Sequence, residues 1–150
     1  MRLSDINPQF CLVIGGAGSG KNHFIEHSSF NNFTLVDVDV IKATVGVASA
    51  ISLIKPSLIE AFQNKEDVVH PTTGGNLKAQ QNKIALARKY GYTVLLILID
   101  TPVDVAIAQV RKRYRNGGHD VPLEKIVDSN KKARENFNLL KPFVDTSTIV

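Results

Sequence analysis

The sequence has little cysteine and no long hydrophobic run. Its single cysteine, Cys11, excludes an internal disulfide and a zinc site built on cysteines. The longest apolar run, Val94–Ile99, has the length of a strand and is too short to cross a membrane. The segment Met1–Phe10 carries an acidic residue, an asparagine and a proline, which is not typical of a signal peptide. We therefore expect a cytoplasmic protein with no membrane partner.

The composition is that of a globular protein. Hydrophobic residues make up 43% and charged residues 21% of the 150 residues, which excludes disordered, collagen-like and coiled-coil chains. The chain contains no repeat, low-complexity tract or linker, so we expect one domain over residues 1–150. Residues 78–150 carry 13 Lys/Arg and 7 Asp/Glu, whereas residues 1–77 carry 5 and 7. The basic half suits an anionic partner, but on charge alone a solvated helical surface is the simpler interpretation.

Short apolar runs alternate with amphipathic stretches along the chain. This alternation predicts an α/β sandwich with a parallel sheet, because consecutive parallel strands need crossover helices. The predicted strands are Phe10–Ile14, Phe33–Val38, Asp67–His70, Tyr92–Ile99 and Ser147–Val150. The predicted helices are Lys21–Ser28, Val47–Phe62, Leu77–Tyr90, Pro102–Tyr114 and Pro122–Leu140.

A glycine-rich loop follows the first predicted strand and has the pattern G-x-x-x-x-G-K. Glycines let successive backbone N–H groups point at phosphate oxygens, and the following helix N-terminus adds partial positive charge. Lys21 adds a full charge for the β and γ phosphates of a nucleotide. Asn22 stands where Ser or Thr usually binds Mg²⁺, and its amide oxygen can serve instead. The predicted nucleotide-binding residues of the loop are Gly15, Gly16, Ala17, Gly18, Ser19, Gly20, Lys21 and Asn22, and Arg111 and Arg115 are further candidates in the second half of the chain.

Two carboxylates, Asp37 and Asp39, lie at the carboxyl end of the second predicted strand, where ligands bind in open α/β sheets. If the strand continues, both side chains point the same way. Capping of the next helix explains one of them equally well, but the pair beside a phosphate loop favours catalysis. A hydroxyl acceptor needs a carboxylate to orient and deprotonate it. Asp39 is our candidate for this base, and Asp37 is a candidate for substrate or metal binding.

A basic segment precedes two glycines in the second half of the chain. Arg111, Arg113 and Arg115 alternate before Gly117 and Gly118, which predicts a mobile basic lid over about residues 111–121. Such a lid closes over ATP and neutralises charge during phosphoryl transfer. A solvated helix end explains some of these cations. His119 alone is a weak signal, since a loop histidine is usually solvated.

The string Gly117-Gly-His-Asp-Val-Pro122, together with Val110, Arg113 and Asn136, resembles the zeta-toxin-like P-loop kinases. The layout is also similar to the kinase domain of phage polynucleotide 5′-hydroxyl kinase. This resemblance implies a three-layer P-loop kinase sandwich, with a five-stranded parallel sheet of order 2-3-1-4-5 and a basic lid. It also implies ATP or GTP as donor with Mg²⁺, and a hydroxyl acceptor on a nucleotide, a nucleic acid end or a nucleotide-sugar. No motif identifies an antitoxin partner.

The resemblance assigns roles to individual residues. It implies that Lys21 binds phosphate, Asp39 activates the acceptor hydroxyl and Arg113 acts from the lid. Lys42 stands where a substrate-contacting arginine is common, and Thr72 and Thr73 follow Pro71 where zeta-like proteins have Glu-Thr-Thr. Several positions depart from the pattern, which keeps open a second hypothesis: a nucleotide-binding protein with weak or lost kinase activity. Those departures are Asn22, Gln109, the pair Asp128–Ser129, and Pro71 in place of the glutamate.

Overall fold

A five-stranded sheet with the order β2-β3-β1-β4-β5 lies at the centre of the structure, and every pairing in it is parallel. This order is the predicted one, so the prediction is confirmed. The structure, a computed structural model, describes residues 7–118 and 120–150, without the side chains of residues 47 and 48. The strands are β1 (Gln9–Ile14), β2 (Thr34–Leu35), β3 (Val68–Thr72), β4 (Thr93–Leu98) and β5 (Thr146–Ile149).

Helices cover both faces of this sheet, as parallel crossovers require. Short 3-10 turns at Ser29–Asn32 and Lys141–Phe143 complete the connections. Across the described ranges, no helix is both long and apolar enough to cross a membrane. The helices are α1 (Lys21–Glu26), α2 (Val38–Val45), α3 (Val47–Gln63), α4 (Leu77–Lys89), α5 (Val103–Arg115) and α6 (Leu123–Leu140).

Alternation along β1 divides the core between the two faces of the sheet. Phe10 and Leu12 pack with α3, α4 and α6, where the rings of Phe10 and Phe62 meet edge to face at 5.4 Å. Cys11 and Val13 face the opposite layer, which includes Ile25 of α1. Both sets are buried, so the strand is apolar at consecutive positions. The result is the expected three-layer sandwich.

The second strand is much shorter than predicted. The pattern predicts Phe33–Val38, but β2 ends at Leu35 and α2 begins at Val38. The reason is a helix cap: a side-chain oxygen of Asp37 accepts a hydrogen bond from the backbone N–H of Asp39 at 3.0 Å. This local bond outweighs the strand preference of the β-branched residues around it.

The other predicted elements agree with the structure to within one or two residues at their ends, except that α2 was not predicted. Helix α1 ends at Glu26 rather than Ser28, because Ser28 instead caps the 3-10 turn that follows. Pro56 lies inside α3, and the helix continues through it. The expectation for the N-terminal segment falls partly on residues 1–6, and His119 also lies outside the described residues.

Candidate active site

The carboxyl ends of the parallel strands meet at one edge of the sheet, and the predicted site residues gather there. The phosphate loop follows β1, Asp37 follows β2, and Thr72 ends β3 beside Ile14. The backbone N–H of Gly15 donates to the carbonyl of Thr72 at 3.2 Å, which joins the start of the loop to the end of β3. Thr73 is the next residue and is exposed.

The phosphate loop packs closely against α5 and α6, and two glycines make this approach feasible. A Cβ on Gly16 would lie 2.5 Å from the backbone nitrogen of Asn130. Gly18 has a φ of +74°, and a Cβ there would lie 2.9 Å from Val110 Cγ2. Side chains at these positions would push the loop away from both helices.

We expect Gly16→Ala to lower the free energy of unfolding by about 1–3 kcal/mol, the usual effect of an added group in a packed interior. Urea unfolding followed by circular dichroism measures this change. Gly75→Ala is the matched control, because the nearest neighbouring atom to a Cβ there would be Thr73 Oγ1 at 3.8 Å. Equal stability of the two variants would contradict the close approach of Gly16 to α6.

Lys21 folds back over the loop. Its Nζ donates to the carbonyl oxygens of Gly15 at 2.8 Å and Gly16 at 3.3 Å. Burial lowers the pKa of Lys21 to about 8, and the charge of Arg113 acts in the same direction. The carboxylates of Asp39 and Asp37 oppose this lowering of the pKa, Asp39 more strongly. Arg113, Asp39 and Asp37 are therefore all close enough to Lys21 to affect its pKa.

Ser19 contributes a buried hydroxyl to the loop. Its side chain is 4% exposed, and its Oγ has no hydrogen-bond partner among the described residues. The carbonyl of Ser19 accepts a hydrogen bond from Thr101 Oγ1 at 2.6 Å, which attaches the phosphate loop to the segment that follows β4. A buried hydroxyl without a partner is costly, so a phosphate oxygen at this loop would satisfy it. The loop residues thus fit the phosphates of a nucleoside triphosphate.

Helix α6 holds the middle of the phosphate loop, which the sequence analysis missed. Ser129 Oγ accepts from the backbone N–H of Ala17 at 2.9 Å. Asn130, 2% exposed, donates from Nδ2 to the carbonyls of Ala17 at 3.0 Å and Ile126 at 2.8 Å. One signal was available: Asn130 occupies an apolar helical position in the series that continues with Ala133 and Phe137. A buried asparagine there needs polar partners, and the loop supplies one.

The two acids occupy different positions on α2. Asp37 is the N-cap and is 6% exposed, whereas Asp39 lies in the first turn with its side chain 71% exposed. The expectation that both point the same way along a strand is wrong, because the strand ends before them. Lys42 lies one turn after Asp39, and its Nζ is 3.6 Å from the carboxylate. Burial, reinforced by the charge of Asp39, raises the pKa of Asp37 above its ordinary value.

The donor set around the loop is compatible with Mg²⁺. The described residues contain no group of three or more His, Cys, Asp or Glu side chains that could hold a metal ion alone. Mg²⁺ does not require such a group, since one or two protein oxygens complete a shell of phosphates and water. Asn22, the second residue of α1, and Asp37 offer oxygens of the preferred kind.

The three arginines of the predicted lid lie in α5, which ends at Arg115. Arg111 and Arg115 are four residues apart and share one face of the helix, whereas Arg113 lies on another face. Arg113 lines a cleft beside the phosphate loop, and Arg115 lines a shallower depression with Asp104. Arg111 is exposed and lines neither. The mobile lid itself stays a prediction.

The cleft beside the loop lies between α1 and α5 and has a volume of about 730 Å³, which suits a small molecule. Aromatic and imidazole rings of α1 form one wall, and the rings of His23 and His27 stack at 4.1 Å. Gln109, one of the departures from the family pattern, lines the opposite wall with Arg113. The cleft is lined by Ser19, Gly20, His23, Phe24, His27, Ser28, Ile99, Thr101, Gln109, Lys112, Arg113 and Val150.

His70 is a second residue that the sequence analysis missed. It is 2% exposed, and its Nδ1 donates to the carbonyl of Val36 at 2.6 Å, immediately before Asp37. Because a carbonyl only accepts, Nε2 carries the lone pair and accepts from Lys83 Nζ at 2.8 Å. Burial lowers the pKa of His70 to about 3. The neutral ring thus extends the pairing of β2 and β3 beyond Leu35 and supports the turn that carries the acids.

The strand order and the glycine-rich loop define a P-loop domain with a kinase-like fold. Solved structures share this fold at low sequence identity. One, of the Pnkp1/Rnl/Hen1 RNA repair complex, is 18% identical with a TM-score of 0.74, over 93% of this chain and 49% of that one. Another, of the PezAT chromosomal toxin-antitoxin system of Streptococcus pneumoniae, is 17% identical with a TM-score of 0.75, over 95% and 66%. Deoxyadenosine kinase from M. mycoides is 12% identical with a TM-score of 0.56, over 94% and 88%.

The sequence also matches the family model described as an AAA domain over residues 10–136, and the chain belongs to that family. The search of curated proteins finds no match. The chain spans about half the length of the RNA repair protein it resembles. The expected likeness to zeta-toxin-like and polynucleotide-kinase-like P-loop proteins is confirmed at the level of the fold.

Proposed function

We propose that this protein is a phosphotransferase that moves the γ-phosphate of ATP or GTP to a hydroxyl group. The acceptor hydroxyl belongs to a nucleotide, a nucleic acid end or a nucleotide-sugar. The observation that carries this proposal is geometric: Lys21 folds over the loop between β1 and α1, Arg113 lines the cleft beside that loop, and Asp37 and Asp39 begin α2 at the same edge of the sheet. Phosphoryl transfer requires just these two elements, cations that balance charge on the phosphate and a carboxylate that accepts the proton.

The nucleotide is held at two places. Its phosphates lie on the loop Gly15–Gly20, where Lys21 leaves the carbonyls it now contacts and binds the β and γ phosphates. Its nucleoside lies in the cleft between α1 and α5, where the rings of His23, Phe24 and His27 offer stacking surfaces. Both places share Ser19 and Gly20, so one ligand can occupy them together.

The acceptor lies on the other side of the phosphate loop, at the ends of β2 and β3. Asp39 is exposed at the start of α2 and acts on the charge of Lys21, which suits a base that removes the proton of the attacking hydroxyl. Lys42, paired with Asp39, and Thr72 and Thr73 are proposed to bind the acceptor. Asn22 and Asp37 would hold Mg²⁺ together with the phosphates, and the bound ion would supply positive charge that balances the phosphate oxygens.

Two of the similar structures, of an RNA repair complex and of a deoxyadenosine kinase, favour an acceptor related to nucleotides, although a shikimate kinase from Aquifex aeolicus shares the fold as well. A polynucleotide end also suits the basic second half of this chain, because Lys and Arg side chains neutralise backbone phosphates.

Incubation with γ-labelled ATP or GTP and Mg²⁺ tests the proposal directly. The acceptors to compare are nucleosides, RNA and DNA with 5′-hydroxyl ends, the same oligonucleotides with 5′-phosphate ends, and UDP-sugars. Label should move to one hydroxyl class and not to the 5′-phosphorylated control. Nucleotide binding without transfer to any acceptor would instead favour a binding protein with weak or lost activity. Asn22 in place of a hydroxyl residue is the observation that favours this second function.

We expect Arg113→Ala to lower kcat by about 10²–10³-fold, the usual effect of removing one group that stabilises transition-state charge. The Kd for nucleotide should change much less, because the charge develops mainly during transfer. Single-turnover rates and calorimetry separate the two effects. Arg111→Ala is the matched control on the same helix, since Arg111 lines neither cleft. A crippled Arg111→Ala enzyme with an active Arg113→Ala enzyme would transfer the role to Arg111.

A further inference from the structure

A second groove lies between α3 and α4 and shares no residue with the phosphate loop or its cleft. Its volume is about 610 Å³, within the usual range for small-molecule sites. Aliphatic side chains from both helices form its surface, from Leu58, which is 1% exposed, to Ile51, which is 68% exposed. The aliphatic residues are Ile51, Ile54, Leu58, Ala79, Ala85 and Leu86.

All the charged side chains that line this groove are positive. Lys55, Lys83 and Lys89 line it, and the described lining includes no carboxylate. Lys83 is the one that reaches inward: its Nζ donates to Nε2 of buried His70 at 2.8 Å and to Oε1 of Gln80 at 3.2 Å. Both acceptors are neutral, and the ion pairs found among the described residues leave Lys83 out.

The hydrogen-bonding capacity of Lys83 limits what the groove can hold. An ammonium group has three N–H donors, and His70 and Gln80 take two of them. One donor is left, and the other two lysines of the lining, Lys55 and Lys89, are exposed. A single charged donor beside aliphatic side chains suits a carboxylate attached to an apolar chain.

We propose that the groove between α3 and α4 binds an amphipathic carboxylate, with its head on Lys83 and its aliphatic chain along Ile51, Ile54, Leu58 and Leu86. The attraction is electrostatic at one end, where an anion gives the partly buried cation its first charged partner. It is hydrophobic along the chain, where each buried methylene adds about fourfold to the affinity. The proposal is independent of the phosphotransferase function.

The affinity should depend on pH in a defined direction. Burial lowers the pKa of Lys83 to about 8 in the free protein, and a bound carboxylate raises it again. The contribution of the Lys83 charge to affinity is therefore complete below pH 8, down to about pH 4–5, where a carboxylate becomes protonated, and it falls as the pH rises through 8. The other titratable groups facing the groove are Lys55 on α3, Lys89 on α4 and His70 on β3, whose pKa of about 3 keeps it neutral throughout.

Calorimetry with octanoate, decanoate and dodecanoate, below their micelle concentrations, tests the proposal on the unmodified full chain. We expect affinity to rise about fourfold per methylene and no binding of dodecyltrimethylammonium, which has the same tail and a cationic head. ATP should not displace dodecanoate, since the two sites share no residue. Absence of binding by all three carboxylates, or equal binding of the cationic detergent, would overturn the proposal.

Two variants locate the site. Lys83→Met should lower dodecanoate affinity at least tenfold, with Lys78→Met as control, an exposed lysine of α4 outside the groove lining. Ile51→Asp places a negative charge at an exposed position of the groove and should abolish binding without disturbing the fold; Leu53→Asp, on the same helix but outside the lining, should not. Unchanged binding in Ile51→Asp would refute the site. If an acidic amphipathic peptide binds and none of the small carboxylates does, the proposed ligand is wrong and the groove binds a protein partner.

Discussion

Lys21→Met should remove phosphoryl transfer and weaken ATP binding by about 10- to 100-fold, the effect of losing a hydrogen bond between charged groups. Methionine keeps the length and apolar stem of the side chain, so the loss reports the ammonium group itself. Calorimetric titration with ATP measures the binding change. Lys78→Met is the control, because Lys78 is an exposed lysine on α4. ATP binding by Lys21→Met as tight as by the parent protein would mean that the phosphate-loop assignment is wrong.

The same lysine predicts how nucleotide affinity depends on pH. Its pKa of about 8 in the free protein rises when phosphates approach, because they favour the charged form. The contribution of Lys21 to affinity is therefore complete below pH 8 and is lost as the pH rises through 8 towards the pKa of the complex. The Lys21→Met protein should lack this decline. A parent protein whose ATP affinity stays constant across this range would contradict the role of the ammonium group.

Asp39→Asn should lower the rate of transfer by about 10²–10⁴-fold, the usual contribution of a general base. The substitution keeps the shape of the side chain and removes its ability to take the proton. ATP affinity should change little, because the proposed role of Asp39 is toward the acceptor and not toward the nucleotide. Rapid-quench measurement of a single turnover with the best acceptor gives the chemical rate directly.

Asp37→Asn is the informative comparison for Asp39→Asn. Asparagine caps helices as well as aspartate does, so this variant keeps the bond from the backbone N–H of residue 39 and the start of α2. Its effect should appear mainly in the Mg²⁺ dependence of the reaction. An active Asp39→Asn enzyme beside an inactive Asp37→Asn enzyme at saturating Mg²⁺ would assign the base to Asp37.

Local patterns predicted most of the fold. The apolar run in β4 is visible in the sequence because a strand buried on both faces is apolar at consecutive positions. The helices α4, α5 and α6 are visible because a helix buried on one face repeats its apolar residues with the helical period. The strand order was predicted only through the resemblance. The end of β2 was missed because Val36 and Val38 favour a strand, while the competing cap on Asp37 is a single hydrogen bond that periodicity does not encode.

In the candidate site too, local features were predicted and contacts between distant residues were missed. The loop Gly15–Lys21 was predicted because all the residues that define its chemistry are consecutive in the sequence. The contacts of Ser129 and Asn130 with Ala17 were missed, because they join residues separated by 112 and 113 positions. The support that His70 gives to the turn before Asp37 was missed for a similar reason, since it joins β3 to β2 across 34 positions.

The attachment of the phosphate loop to α6 has a consequence for the way the chain folds. A chain that is still being synthesised can pair β1 with β3 but cannot complete the loop until Asn130 has emerged, so nucleotide recognition is gained late. Because of the same contacts, the phosphate loop has its native conformation only when the domain is folded through α6. Release of α6 releases Ala17, and a nucleotide that requires the intact loop binds only the folded chain. ATP should therefore protect regions as distant as the C-terminal end of α6 from proteolysis. The protection should increase with the ratio of the ATP concentration to its Kd.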